Sequence, residues 1–170
     1  MPDTFVKIAS VTVGSGGSST ISFTSIPSTY TDLCLKISAR SETTSFALNL
    51  TVNGSTSGYS ERLLYASGTS VASATASETK INWLDLQNSS ATTANTFSSC
   101  DVYIPNYAGS SYKSFSGDTV TETNSSTDNN LYVNAALWSN TAAITSITLT
   151  AGVGDVAQYS TATLYGIKSS

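Results

Sequence analysis

The chain alternates apolar and polar residues with a period of two. Leu33, Leu35, Ile37 and Ala39 alternate with Asp32, Cys34, Lys36, Ser38 and Arg40. Phe46, Leu48, Leu50 and Val52 repeat the pattern and run into Asn53-Gly54, a strong turn signal. Leu131, Val133, Ala135 and Leu137 give a third case, closing on Trp138. Successive side chains of a strand point to opposite faces, so this period describes a strand with one face buried. Weaker segments at 5–13, 20–23, 59–65, 81–86, 97–104, 112–120, 144–149 and 161–167 complete a set of about eleven strands. The expected fold is all-β: one antiparallel β-sandwich, jelly-roll-like, of about 8–11 strands, spanning 1–170 as a single domain.

Composition supports this reading. Ser and Thr fill 58 of the 170 positions, and hydrophobic residues only 39%. Disorder requires low hydrophobicity joined to high net charge. Here the net charge is only −4, and β-branched Thr fits a pleated surface. Between the strands lie polar stretches at 68–79, 88–96 and 123–130, which read as surface loops. Residues 71–78 alone have some helical character, and their Ser/Thr content favours a loop. Gly14-Ser15-Gly16-Gly17 reads as a hairpin between two strands.

The same composition narrows the chemistry. Charged residues are 11% and His is absent. A catalytic Ser or Cys has no imidazole to activate it, and no zinc-type spacing occurs. No metal or cofactor site is expected, and no enzymatic activity. Asp128, Asn129 and Asn130 read as a turn rather than a calcium loop. A glycosidase pair among Asp85, Asp101, Asp118, Glu122 and Asp155 would need two carboxylates facing each other across a groove. The seven Lys and Arg form no stripe that would neutralise phosphates, so nucleic acid is not an expected partner. No apolar run reaches a membrane-spanning length. The first residues lack the pattern of a secretory signal, which leads us to expect synthesis in a cytoplasm.

Cys34 and Cys100 read as two buried free thiols, with a bridge between them as the alternative. Most of the Tyr and Trp residues fall within strands and read as packing. Tyr107 and Tyr112 lie in or beside a turn; packing is the leading reading there too, and a ring that anchors a partner or stacks on a sugar is the alternative. Met1, Pro2 and Phe5, in the N-terminal stretch, are the residues expected to reach a neighbouring subunit or shell.

Three segments carry a resemblance when taken together. They are Ile26-Pro27-Ser28-Thr29-Tyr30-Thr31-Asp32-Leu33, then Leu137-Trp138-Ser139-Asn140-Thr141-Ala142-Ala143-Ile144-Thr145-Ser146-Ile147, and Tyr159-Ser160-Thr161-Ala162-Thr163-Leu164-Tyr165-Gly166-Ile167. In this the chain resembles a family of small proteins encoded among the virion genes of tailed bacteriophages, notably marine and cyanobacterial ones. The resemblance implies a structural role without catalytic residues: a capsid decoration (cement) protein on the outer surface of the virion. It would act as a homotrimer and bind the major capsid protein or another virion protein. The alternative is a tail-associated adhesion module that binds host surface glycan.

Overall fold

The computed structural model describes residues 4–44, 47–84, 88–125 and 129–168. They form twelve strands: β1 (Phe5–Thr12), β2 (Thr20–Phe23), β3 (Asp32–Ala39), β4 (Leu48–Val52), β5 (Tyr59–Ser67), β6 (Ser70–Glu78), β7 (Ile81–Leu84), β8 (Ser98–Ile104), β9 (Lys113–Thr121), β10 (Asn130–Trp138), β11 (Ile147–Ala151) and β12 (Thr161–Ile167). Two antiparallel sheets result, one ordered β1-β12-β3-β8-β9-β10-β5-β6 and the other β2-β11-β4-β7.

A jelly roll is embedded in this order. Eight strands (β1, β2, β3, β4, β7, β8, β11 and β12) form two four-stranded layers, β1-β12-β3-β8 facing β2-β11-β4-β7. The chain crosses from layer to layer in the double Greek-key sequence of that fold. Two additions enlarge it. The pair β5–β6 is inserted between β4 and β7, and β9–β10 between β8 and β11. Both extend the first layer beyond β8, so one end of the long sheet projects past the short one.

Burial follows the alternation on β3 and is reversed on β10, where Leu131, Val133 and Ala135 are exposed while Tyr132, Asn134 and Trp138 face inward. On β3, Leu33, Leu35, Ile37 and Ala39 are buried, while Lys36 and Ser38 are exposed. Across the interlayer space they meet a core that includes Ile21, Phe23, Leu48, Leu50, Val52, Ile147 and Leu149. Fully burying one such side chain is worth about 1.5–3 kcal/mol. The extension continues this core with Phe115, Tyr59 and Trp138, the last two stacked with ring centroids 6.4 Å apart. Two segments of the resemblance also meet: the Tyr30 ring lies directly over Gly166, where a Cβ would collide with it.

Four expectations need correction. Residues 70–78 are neither loop nor helix but strand β6, paired with β5 along its whole length. Gly68 and Thr69 form the two-residue turn between them, and Gly68 supplies the positive φ (55°) that its first position requires. Gly14 to Gly17 is not a hairpin, because β1 pairs with β12 in one layer and β2 with β11 in the other. The turn there carries the chain between layers. The strand expected over 144–149 starts at Ile147, and Ile144 is buried in the preceding loop. With β6 added, the strand count is twelve rather than eleven at most. The strand residues Phe46 and Leu86, and the candidate acids Asp85 and Asp128, lie outside the described residues.

Candidate interaction surface

Of the residues expected to contact a partner, Tyr107 and Tyr112 do not form one surface. Met1 and Pro2 lie outside the described residues. Phe5 opens β1 half-exposed, its ring tilted against Tyr165 at 5.9 Å. Tyr112 is exposed. Tyr107 is fully buried, and its hydroxyl donates to the Pro27 carbonyl, so it cannot form a surface platform with Tyr112.

The turn that carries Tyr107 is held by a lysine. Lys113, at the start of β9, is itself fully buried. Its Nζ donates to the carbonyls of Gly109 (2.6 Å), Ser111 and Thr141 (3.3 Å). A buried ammonium needs such acceptors, and these bonds hold the turn after β8 by its carbonyls. Tyr107 lies in the core, and its carbonyl accepts from the Ile144 amide at 3.0 Å. Burial lowers the Lys113 pKa.

Arg40 plays the same part for the loop after β7. Its guanidinium donates to the carbonyls of Thr92 (3.3 Å), Thr93 (2.9 Å) and Thr96 (3.1 Å). Asn88 and Ser89, in the same loop, are buried. This Ser/Thr-rich stretch is therefore a fastened connection rather than an adaptable binding loop. Asn53 staples a third loop: its Nδ2 donates to the Ala143 carbonyl at 2.7 Å, and its Oδ1 accepts from the Thr145 amide at 2.8 Å.

With the loops fastened, the outward side of the long sheet is the surface with most to offer. Strand register places its side chains in rows. One row runs Val71, Ala66, Leu131, Val120. The adjacent row runs Leu64, Val133, Asp118, Asp101, Lys36. Leu64, Val71, Val120, Leu131 and Val133 are between 41% and 72% exposed. Five large aliphatic side chains thus adjoin one another in solvent at the projecting end of the sheet. Scattered exposed apolar residues are ordinary, whereas a contiguous group marks a contact surface.

Beside this patch the outer face turns polar. Lys36 Nζ and Asp101 Oδ2 form an ion pair at 2.5 Å, half-exposed on both sides and therefore worth little stability. The bond to Asp101 raises the Lys36 pKa. A shallow depression of about 450 Å³ lies between this pair and Val133, lined also by Cys34, Tyr103, Ser116 and Asp118. The Tyr103 hydroxyl donates to Asp32 Oδ2 at 2.7 Å. Asp101 and Asp118 are neighbours on adjacent strands of one open face. They do not confront each other across a groove, as a pair of glycosidase carboxylates would.

Cys34 lies on the outward side of β3 and Cys100 on the inward side of β8; both are free. Burial raises both thiol pKa values, that of Cys100 to about 12. Neither suits a nucleophile, which needs a lowered value. Among the described residues, no group of three or more acidic or Cys side chains could hold a metal ion. Among the same residues, no helix is long and apolar enough to cross a membrane.

One buried carboxylate escaped the sequence reading. Glu61 on β5 points inward; Oε1 accepts from the Asn82 amide at 2.6 Å, while Oε2 has no partner among the described residues. Burial pushes its pKa up to about 7, with Glu78 adding to the rise. It lies opposite Ala136 on β10 and Ala76 on β6, with Glu78 two residues beyond Ala76 on the same face of β6. Comparison with protein-family models, curated proteins and solved structures finds no match to this chain.

Proposed function

We propose that the protein is a non-enzymatic component of a tailed-phage particle, a decoration protein that sits on the outer surface of the head and bridges capsid subunits. The observation that carries this reading is the aliphatic patch of Leu64, Val71, Val120, Leu131 and Val133, set at one end of an otherwise hydroxyl-rich surface. A contiguous apolar patch marks an interaction site, and in this reading its partner is a complementary apolar surface on the capsid protein. The double-layered β body, with its loops fastened by Arg40, Asn53 and Lys113, supplies the rigidity that a bridging part requires. Self-association links several weak contacts and raises the effective affinity.

Stoichiometry in purified virions tests this reading. A decoration protein is present in proportion to the major capsid protein, and particles lacking it rupture at lower temperature. A few copies per virion, located on the tail, would overturn it. That outcome is the one expected of the second reading, a glycan-binding adhesion module. The depression beside Tyr103 and Asp118 favours that reading, since it offers a ring and a carboxylate to a sugar.

A further inference from the structure

The two sheets have four edges, and three of them are blunted. The β1 edge carries Lys7 and a register shift between Lys7 and Ala9. Strands β2 and β7 are only four residues long. Charge, bulges and shortness are the usual means of preventing a free edge from pairing with another chain. β6 has none of them. It is nine residues long, pairs with β5 without a register shift, and is the last strand of its sheet. Its sequence, Ser-Val-Ala-Ser-Ala-Thr-Ala-Ser-Glu, contains no Pro, Lys or Arg, and one charge, Glu78, at its end. Its residues are exposed or half-buried throughout.

We infer that β6 pairs with β6 of a second copy, antiparallel about a twofold axis at Ala74, to join the two long sheets into one. The strand is complementary to itself in this register. Ala74 meets Ala74, Ala72 meets Ala76, Ser73 meets Thr75, and Val71 meets Ser77. The face of Ala72, Ala74 and Ala76 continues as an alanine face, and the hydroxyl face continues as a hydroxyl face. Small side chains permit close approach, and no bulky residue is opposed to another. The one charge fits as well: each Glu78 faces a Ser70, and the two carboxylates stand about 26 Å apart along the strands. The nine-residue pairing adds about eight to ten main-chain hydrogen bonds. A twofold contact of this kind is closed and stops at two copies.

The pairing stands on the edge itself and holds whether or not the aliphatic patch docks on a shell. It also brings the patches of two copies onto the same side of one sixteen-stranded sheet, because Leu64 and Val71 lie on or next to the joined edge. A threefold ring would require β6 to meet a different edge of the next copy, where this self-matching register is lost.

Sedimentation of the full chain over a range of concentrations tests the inference. The wild-type protein should sediment as a dimer. Ala74→Lys and Ala74→Glu each place like charges face to face at the axis and should weaken the dimer about tenfold or more, with an unchanged far-ultraviolet spectrum. Since Ala74 is exposed, neither variant burdens the fold. Mixing the two variants should restore dimers. A wild-type monomer at high concentration, a trimer, or a dimer indifferent to both substitutions would overturn the pairing. Shell binding is assayed separately with the same samples, so loss of one reading is not mistaken for loss of the other.

Discussion

At the scale of single residues, buried polar groups account for most of what the alternation pattern leaves out. Lys113, Arg40 and Asn53 look in sequence like ordinary surface residues, and each fastens a loop through backbone carbonyls or amides. Tyr107 shows the same limit: an aromatic ring beside a turn gives no local sign that a lysine six residues on will hold the turn by its carbonyls. Glu61 is the most exposed to pH. Its carboxyl has a folded pKa of about 7 against an ordinary value of 4.5. The folded state therefore holds the proton more tightly than the unfolded chain. Stability from this group is full below about pH 4.5 and falls as pH rises through 7, by about 3 kcal/mol in all. Glu61→Gln keeps the shape without the charge. Urea midpoints for that variant should vary less between pH 5 and pH 7.5 than those of the wild type; equal slopes would show that the carboxylate is solvated.

At the scale of elements, strands with one buried face were legible and the others were not. β3, β4 and β10 follow from their alternating Leu, Val and Ile. β6 did not, because both its faces are largely open and its Ala, Ser and Thr residues do not divide into apolar and polar sets. Its turn was equally quiet, a Gly-Thr pair in a stretch rich in such residues. The connection from β8 to β9 depends on Lys113. Lys113→Met removes the ammonium while keeping the length of the chain, and leaves three inward carbonyls without their donor. A loss of about 2–4 kcal/mol is expected, together with faster hydrogen exchange at Ile144, whose amide depends on the Tyr107 carbonyl. A stable variant with unchanged exchange would mean that the turn holds itself.

At the scale of the whole molecule, the sandwich and its antiparallel order were within reach of the sequence, and the asymmetry was not. Two inserted hairpins lengthen one layer alone, and no periodicity records which layer a hairpin joins. That asymmetry gathers Leu64, Val71, Val120, Leu131 and Val133 from two hairpins that are distant in sequence. In the sequence Leu131 and Val133 appear as half of a buried strand face, and Val71 as part of a loop; the register and exposure show one open face.

The central claim is that this open face binds the particle. Leu64→Asp combined with Val133→Asp places two charges at its centre, on side chains already more than half exposed, so folding should be spared. The direct measurement is binding to phage head shells purified without the protein, comparing wild type with the double variant by co-sedimentation. The account predicts saturable wild-type binding in proportion to capsid protein, and at least about a hundredfold weaker binding by the folded variant. Equal binding by the two proteins, or no binding by the wild type, would contradict it.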